Sequence, residues 1–366
     1  MAETSRPETL RVQALSQIGI SQVPPQFIQP PENRPVSRKP QSSTDTIPIE
    51  ADLPHAALHV PVIDLTGFDS DRRDEIRSQI GQVCEDWGAF QVINHGIPVR
   101  LLDEMRQVGL TFFNDFPIEE KLKYACDTTA AATEGYGTRM LVGAADDAVL
   151  DWRDYFDHHT FPLSRRNPSS WPHSPPRYRE AVAEYADQMK LLAQKLLAWV
   201  SESLGLGASS VEDAVGEIYQ NITISYYPPC PQPELTLGLQ AHSDFGAITL
   251  LTQDDVEGLQ VLKDGNWITV KPISDAIVVI LSDQTEIMTN GKYKSAVHRA
   301  ITNSSRARLS VATFHDPAKT KVISPIADIT RESFHPRYRS VLYSDYVSSW
   351  YTKGPEGKRN IDALTL

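Results

Sequence analysis

The sequence predicts an α+β fold that is mainly β, a sandwich or barrel of short strands braced by helices, on three observations. Beyond about residue 218, short apolar runs alternate with turn signals such as Asp264-Gly265-Asn266 and Asn290-Gly291, the pattern of many short strands. Between Pro176 and Leu206, Val182, Tyr185, Met189, Leu192, Leu196 and Trp199 recur at helical spacing and form one long apolar stripe. The 366-residue chain is 40% hydrophobic and 22% charged, which is ample apolar material for a core.

Residues 1–58 are expected to be a proline-rich N-terminal arm. Leu10 to Ile18 is a short amphipathic piece, and the many prolines from Pro24 to Pro54 exclude a long helix or a central strand. Such an arm should lie over the domain surface or be partly disordered.

Residues 59–217 read as a mixed helical and strand region. Val60 to Leu65 is a strand, and Asp71 to Trp87 a helix with Ile76, Ile80, Val83 and Trp87 on one face, ended by Gly88. Ala89 to His95 alternates like a strand, and Pro98 to Phe113 returns to helical spacing. His95, just before Gly96, reads as a structural turn histidine. Tyr124 to Val149 lacks periodicity, as loops that carry substrate contacts often do. The adjacent pair His158 and His159 would point to opposite faces of a strand, so both cannot reach one ion; they are expected behind the site or at the surface. The helix from Pro176 to Leu206, stopped by Gly205, should brace a sheet.

Residues 218–320 should form the core. The expected strands are Gln220 to Tyr227, Leu237 to His242, Ala247 to Thr252, Leu259 to Leu262, Trp267 to Val270, Ala276 to Leu281, Ser295 to Ala300 and Arg308 to Phe314. Residues 321–366 close the chain, with Tyr343 to Tyr351 helical by period and expected near a pocket mouth.

The formal charge of −12 argues against nucleic acid or an anionic membrane as partner, since both select positive potential. A small molecule fits better. Three cysteines without clustered spacing suggest neither a disulfide framework nor a zinc knuckle. The first residues show no signal pattern, and no apolar run is long enough to span a bilayer. A monomer in the cytoplasm is the expectation.

Chemistry concentrates in Gly238 to Leu251, which places His242 and Asp244 two residues apart in an apolar run. In a strand, side chains i and i+2 share a face, so an imidazole and a carboxylate there can converge on a metal. His298, in Tyr293 to Ile301, is the candidate third ligand. Two histidines and a carboxylate leave adjacent positions open on an octahedral ion, the ligand set of non-haem Fe(II) oxygenases, although zinc would also bind. Downstream, Arg308 and Ser310 share a strand face, and an arginine fork beside a hydroxyl suits a carboxylate. That grip speaks for iron, because a zinc hydrolase has no need of a second acid anchor.

The segments Tyr226-Tyr-Pro-Pro-Cys-Pro-Gln-Pro233, His242-Ser-Asp244, Gly258-Leu-Gln-Val261, Asn290-Gly-Lys-Tyr-Lys-Ser295, His298-Arg299 and Arg308-Leu-Ser310 carry a resemblance. It extends upstream through Val60-Pro-Val-Ile-Asp64 and Trp87 to Gly96. Together they resemble the plant 2-oxoglutarate and Fe(II)-dependent dioxygenases, the group containing flavonol synthase, anthocyanidin synthase and flavanone 3-hydroxylase. The resemblance implies a double-stranded β-helix, a jelly-roll variant, with His242, Asp244 and His298 on Fe(II). It implies Arg308 on the distal carboxylate of 2-oxoglutarate, with Ser310, Tyr227 and Ser225 beside it. Ser225 stands where relatives usually have Asn, and Ser282-Asp283 replaces the usual Gly-Asp. The implied reaction couples O2 and conversion of 2-oxoglutarate to succinate and CO2 to oxidation of a substrate C–H bond. Hydroxylation, desaturation and O-demethylation are its possible outcomes, with ascorbate as reductant.

Leu150 to Pro162 resembles the family strand that enters the pocket wall, which implies that Tyr155 and Asp157 face substrate. The remaining candidate lining is Tyr136, Met140, Thr223, Phe245, Phe314, Trp350 and Tyr351. This set is mainly aromatic and neutral, and Thr223 supplies no second arginine at a wall position. A neutral aromatic or polycyclic specialised metabolite, such as a flavonoid, terpenoid or alkaloid, is therefore expected. The alternatives are oxidation of a carboxylated hormone of jasmonate, gibberellin or auxin type, and a non-catalytic ligand-binding member of the fold.

Overall fold

A computed structural model describes residues 11–35, 58–127, 134–138, 149–333, 335–353 and 359–366. In chain order its main strands are β1 (Val62–Asp64), β2 (Ala89–Ile93), β3 (Gly135–Gly137), β4 (Asp154–Phe161), β5 (Ile218–Tyr227), β6 (Leu239–His242), β7 (Ile248–Gln253), β8 (Leu259–Lys263), β9 (Asn266–Thr269), β10 (Ile277–Leu281), β11 (His298–Ala300) and β12 (Arg308–Pro317). The helices that matter here are α1 (Val12–Gln17), α2 (Arg73–Asp86), α3 (Val99–Asp115), α4 (Ile118–Leu122), α5 (Tyr178–Ser203), α6 (Ser210–Val215), α7 (Asp283–Met288), α8 (Ala327–Ser333) and α9 (Tyr343–Lys353).

Eight strands form a large sheet in the order β1-β2-β10-β7-β12-β5-β4-β3, antiparallel except for the parallel β1–β2 pair. A smaller sheet, β6-β11-β8-β9, faces it in the expected jelly-roll manner. Strand alternation assigns the two faces. Ile277, Val279 and Leu281 of β10, Ile248 and Leu250 of β7, Leu309 and Val311 of β12, and Ile222 and Ile224 of β5 pack under the helices, in one cluster with Ile76, Phe112, Tyr185 and Leu196. Their intervening neighbours Val278, Ile280 and Leu251 turn the other way and meet Leu259 and Val261 of the smaller sheet. Both faces of the large sheet are thus covered.

The long helix α5 lies on the sheet as its stripe predicts, and Gly205, at φ +76°, follows its end. Truncating a buried stripe residue such as Leu196 to Ala would cost about 2–5 kcal/mol, from lost transfer energy plus the cavity left behind. Gly88 stops α2 at φ +69°, and any Cβ there would collide with the Lys294 carbonyl.

Several expectations need correction. The arm does more than lie over the surface: Val12, Leu15, Val23 and Phe27 are buried in a small core with Trp152 and Cys230. The amides of Val12 and Gln13 donate to the buried Asp154 carboxylate at 3.1 and 2.9 Å. Residues 36–57 of the arm, and 128–133 and 139–148 of the loop, lie outside the described residues. Within that loop Gly135–Gly137 pairs with β4 as a strand, because its glycines admit the close approach of Tyr124 and Tyr155. α7 was not anticipated either; all six of its residues are buried although four are polar, so it has no solvent-facing side to mark a helical period. Among the described residues, no helix is long and apolar enough to cross a membrane.

Candidate metal centre and substrate pocket

β6 and β11 pair antiparallel with His298 directly opposite His242, which sets their imidazoles 4.3 Å apart between ring centroids. Strand periodicity does not supply Asp244, contrary to expectation. β6 ends at His242, and Asp244 lies in the following turn, where its carbonyl accepts from the Asp283 amide at 2.9 Å. That turn returns the carboxylate to the histidines. Asp244 Oδ1 lies 3.5 Å from His242 Nε2 and 3.8 Å from His298 Nε2, and the three ligand atoms lie within 4.8 Å of one another.

The surroundings prepare each group to coordinate. His242 Nδ1 faces the Gln240 carbonyl at 2.8 Å and His298 Nδ1 the Ala296 carbonyl at 3.1 Å, so each ring donates from Nδ1 and turns an Nε2 lone pair inward. Burial lowers the His298 pKa to about 4, with His242 adding to the effect, so the ring is a neutral donor. Burial alone would raise the Asp244 pKa, but His298, His242 and the Thr249 hydroxyl outweigh it and hold the group at about 2. Thr249 donates at 2.6 Å to Asp244 Oδ2, leaving Oδ1 towards the histidines. Two imidazole nitrogens and one carboxylate oxygen, all from buried side chains, fit a ferrous ion.

Below this cluster, the cavity-facing residues of β12, β5 and β4 form transverse rows. Arg308 pairs with Tyr227, Ser310 with Ser225 and Tyr155, Ala312 with Thr223 and Asp157, Phe314 with Asn221 and His159, and Asp316 with Tyr219. The first rows are rich in donors. Arg308 is buried, its guanidinium stacked 5.1 Å over the Tyr227 ring and bonded from Nη2 to Gln253, while its Nε has no partner. A buried cation with a spare donor suits an anionic ligand. Burial pushes the Tyr227 hydroxyl up, yet Arg153, Arg308, Ser310 and Ser225 around it bring its pKa below the usual value.

Arg153 was missed in the sequence, where Asp-Trp-Arg-Asp reads as ordinary surface charge. It is buried in the cavity wall, donates from Nη1 to Ser225 Oγ at 3.1 Å and lies 5.5 Å over the Tyr155 ring. A second wall arginine thus exists, although Thr223 is not its source. Of the expected lining, Asp157, Thr223, Phe245, Phe314, Trp350 and Tyr351 surround the cavity with the metal triad, Arg308, Ser310, Tyr227 and Ser225. Tyr155 does not line it but supports Arg153. Tyr136 is fully buried in an aromatic core with Phe112 and Phe113, its hydroxyl directed at Asp154. Met140 lies outside the described residues.

His95 and His158 are structural. His95 bridges the Asp275 carbonyl and the Ile97 amide. His158 is wholly buried between the Ile222 carbonyl and the Tyr178 hydroxyl, so it is neither at the surface nor beside the metal ligands. Over the cluster, α9 brings Trp350 to 5.2 Å from Phe245 and 6.4 Å from His242, between ring centroids.

Comparison with known proteins agrees with this geometry. The family model of the 2OG-Fe(II) oxygenase superfamily matches residues 218–317, and that of the non-haem dioxygenase in morphine synthesis N-terminal region matches residues 60–174. The chain is 38% identical to jasmonate-induced oxygenase 4 of Arabidopsis thaliana, over 97% of this chain and 96% of that one. It is also 38% identical to leucoanthocyanidin dioxygenase of Malus domestica, over 92% and 93%. The crystal structure of JOX2 in complex with 2OG, Fe and JA is similar at TM-score 0.86 and 36% identity, covering 97% of each chain.

Proposed function

The chain belongs to the 2OG-Fe(II) oxygenase superfamily and is a 2-oxoglutarate-dependent dioxygenase using Fe(II), 2-oxoglutarate and O2, and from that premise we propose its ligand assignments and substrate class. His242, Asp244 and His298 hold the iron. Arg308 and Ser310 grip the distal carboxylate of 2-oxoglutarate, with Tyr227 between them and Ser225. The substrate is an aromatic or polycyclic plant metabolite without a carboxylate. The observation that carries the reading is the approach of both histidine Nε2 atoms to one Asp244 oxygen, at 3.5 and 3.8 Å.

Bound iron with its co-substrate and O2 supplies the oxidising power that breaks a substrate C–H bond. The protein's part is placement. Thr249 and the two backbone carbonyls orient the ligands, and the Arg308 row fixes one end of the co-substrate. Phe245, Phe314, Trp350 and Tyr351 give the cavity apolar walls that exclude water and favour a flat, largely apolar substrate body. No side chain is needed as a general base.

Arg153 favours one other reading, a carboxylated substrate, and the similar JOX2 structure holds JA. The position of Arg153 weighs the other way. Extending the β4–β5 register puts it across from Tyr227, at the co-substrate end of the floor, with Ser225 already bonded to it.

The test is anaerobic reconstitution with Fe(II) and 2-oxoglutarate, then a metabolite panel, oxygen and ascorbate. Mass spectrometry should find a product that has gained one oxygen or lost two hydrogens or a CH2, with succinate formed alongside. Protein that retains neither iron nor 2-oxoglutarate would defeat the ligand assignments. Turnover of a carboxylated hormone in preference to every carboxylate-free candidate would defeat the substrate class. A cytoplasmic monomer belongs to the same proposal, in keeping with three unpaired cysteines, and size-exclusion chromatography with light scattering checks the monomer.

A further inference from the structure

The floor of the cavity changes character along its length. Arg308 and Asp316 stand at opposite ends of the cavity-facing side of β12, eight residues and about 26 Å apart at the rise of a strand. One keto-diacid cannot reach both ends. The far rows hold acceptors: Asp157 on β4, Asn221 on β5 and Asp316 on β12, all lining the cavity. Asp316 is only 4% exposed, and its Oδ1 has no hydrogen-bond partner; Asn221 Oδ1 is likewise buried and without one. The Tyr343 hydroxyl faces Asp316 and partly restrains the rise in its pKa, but no bond of normal geometry reaches Oδ1.

Neighbouring positive charge offsets this wall only in part, since the pKa of both acids stays raised. Arg165 acts electrostatically on both acids and Arg153 on Asp157, while the Arg165 guanidinium bonds the Phe161 carbonyl and stacks over Tyr219. His159 Nε2 stands 3.9 Å from Asp157 Oδ2, beyond hydrogen-bond reach, and Asp157 Oδ1 takes one bond, from Thr223. Burial raises the pKa of both acids, with Glu134 adding to the rise at Asp157, and Asp244 and then Asp157 adding to it at Asp316. Opposite them stand Phe245, Trp350 and Tyr351, whose ring faces attract an organic cation.

Resting on the dioxygenase reading, and in place of the neutral substrate expected from the sequence, we infer that the substrate carries a protonated amine, seated between the Asp157–Asn221–Asp316 wall and the aromatic side of the cavity. The rest of its body then extends towards the metal triad. A carboxylate in the same place would meet two acids, with Arg308 at the other end of the floor.

The test uses the anaerobic Fe(II) and 2-oxoglutarate-loaded full chain, titrated by calorimetry with matched probes: phenethylamine, phenethyl alcohol and hydrocinnamate, then benzyltetrahydroisoquinoline and its carbocyclic isostere benzyltetralin. The amines should bind roughly tenfold or more tightly than their uncharged partners, and the acid weakest. Asp316→Asn and Asp157→Asn, each verified as folded by its melting temperature, should each shrink that preference several-fold. Failure of the protein to bind iron or 2-oxoglutarate at all, measured first, would strike the dioxygenase assignments. With both bound, an alcohol or acid binding as well as the amine, a preference unchanged in both variants, or no amine binding would overturn this inference alone.

Discussion

In the proposed iron site Asp244 can serve a metal only as an anion, and its neighbours keep it one. With its pKa held at about 2, below the usual 3.8, its contribution to stability is present above the unfolded value and lost as pH falls through about 2. Thr249 also selects which oxygen faces the histidines. Thr249→Val should therefore weaken Fe(II) binding by about 10–100-fold, measured by anaerobic equilibrium dialysis; unchanged affinity would mean that the hydroxyl does not orient the ligand. Asp157 behaves in the opposite sense. Burial raises its pKa from 3.8 to about 7, so the folded state prefers the protonated form, and its stabilisation is full below the unfolded value and lost as pH rises through 7. Between about pH 4 and pH 7, metal-free wild type should lose up to about 4 kcal/mol relative to Asp157→Asn in urea unfolding. A pH-independent difference would show that solvent reaches the carboxyl. At this scale the meeting of His242, Asp244 and His298 around one cavity with Arg308 and Ser310 was legible in the sequence, because the order of these residue types is distinctive. Arg153 was not, since its place in the cavity wall is set by Ser225 and the Tyr155 ring, which no local pattern announces.

Elements decide how these residues meet. The return of Asp244 to the histidines depends on the turn after β6 being bonded to the start of α7, and α7 could not be read because a fully buried six-residue helix has no amphipathic signature. The strands were legible because short apolar, β-branched runs bounded by turn signals are written into β5, β7, β10 and β12. α9 was legible by its period, and it is latched: Tyr346 donates to the buried Asp283 at 2.6 Å, and Ser243, beside the metal ligands, donates to the same oxygen at 3.2 Å. Trp350 thereby covers the cavity over Phe245 and His242. Removing it should admit water while leaving the metal ligands in place. Trp350→Ala is expected to raise the ratio of succinate to oxidised substrate by roughly twofold or more at saturating 2-oxoglutarate. If the ratio does not change, α9 is packing alone and does not protect the reaction.

Across the whole molecule, the large sheet separates two kinds of chemistry, an apolar layer under the helices and a polar, graded floor beneath the metal cluster. β4 belongs to both, and the N-terminal segment secures its entry. Composition could show that prolines forbid long regular elements there, but not that the intervening apolar residues find a pocket, because that pocket is made by Trp152 and Cys230 from distant parts of the chain. The contact is specific. Phe27 meets Trp152 edge to face at 5.2 Å, and two amides of the segment, with Thr138, satisfy the carboxylate of Asp154, which is fully buried and whose pKa burial raises. Gln13 also accepts from the buried Lys121, which turns the same ammonium to the Phe113 carbonyl. Deleting residues 1–35 would strip two donors from Asp154, an acceptor from Lys121 and a ring from Trp152, the residue before Arg153. The expected cost is at least about 3 kcal/mol, since buried polar groups left unpaired lose roughly 1–3 kcal/mol each. Because Trp152 and Asp154 flank Arg153, the same deletion should also weaken 2-oxoglutarate binding under conditions where the truncated protein remains folded. Chemical unfolding and calorimetry of the truncated and full-length chains test both halves, and a truncation that leaves stability and co-substrate affinity untouched would reduce the segment to a passive covering.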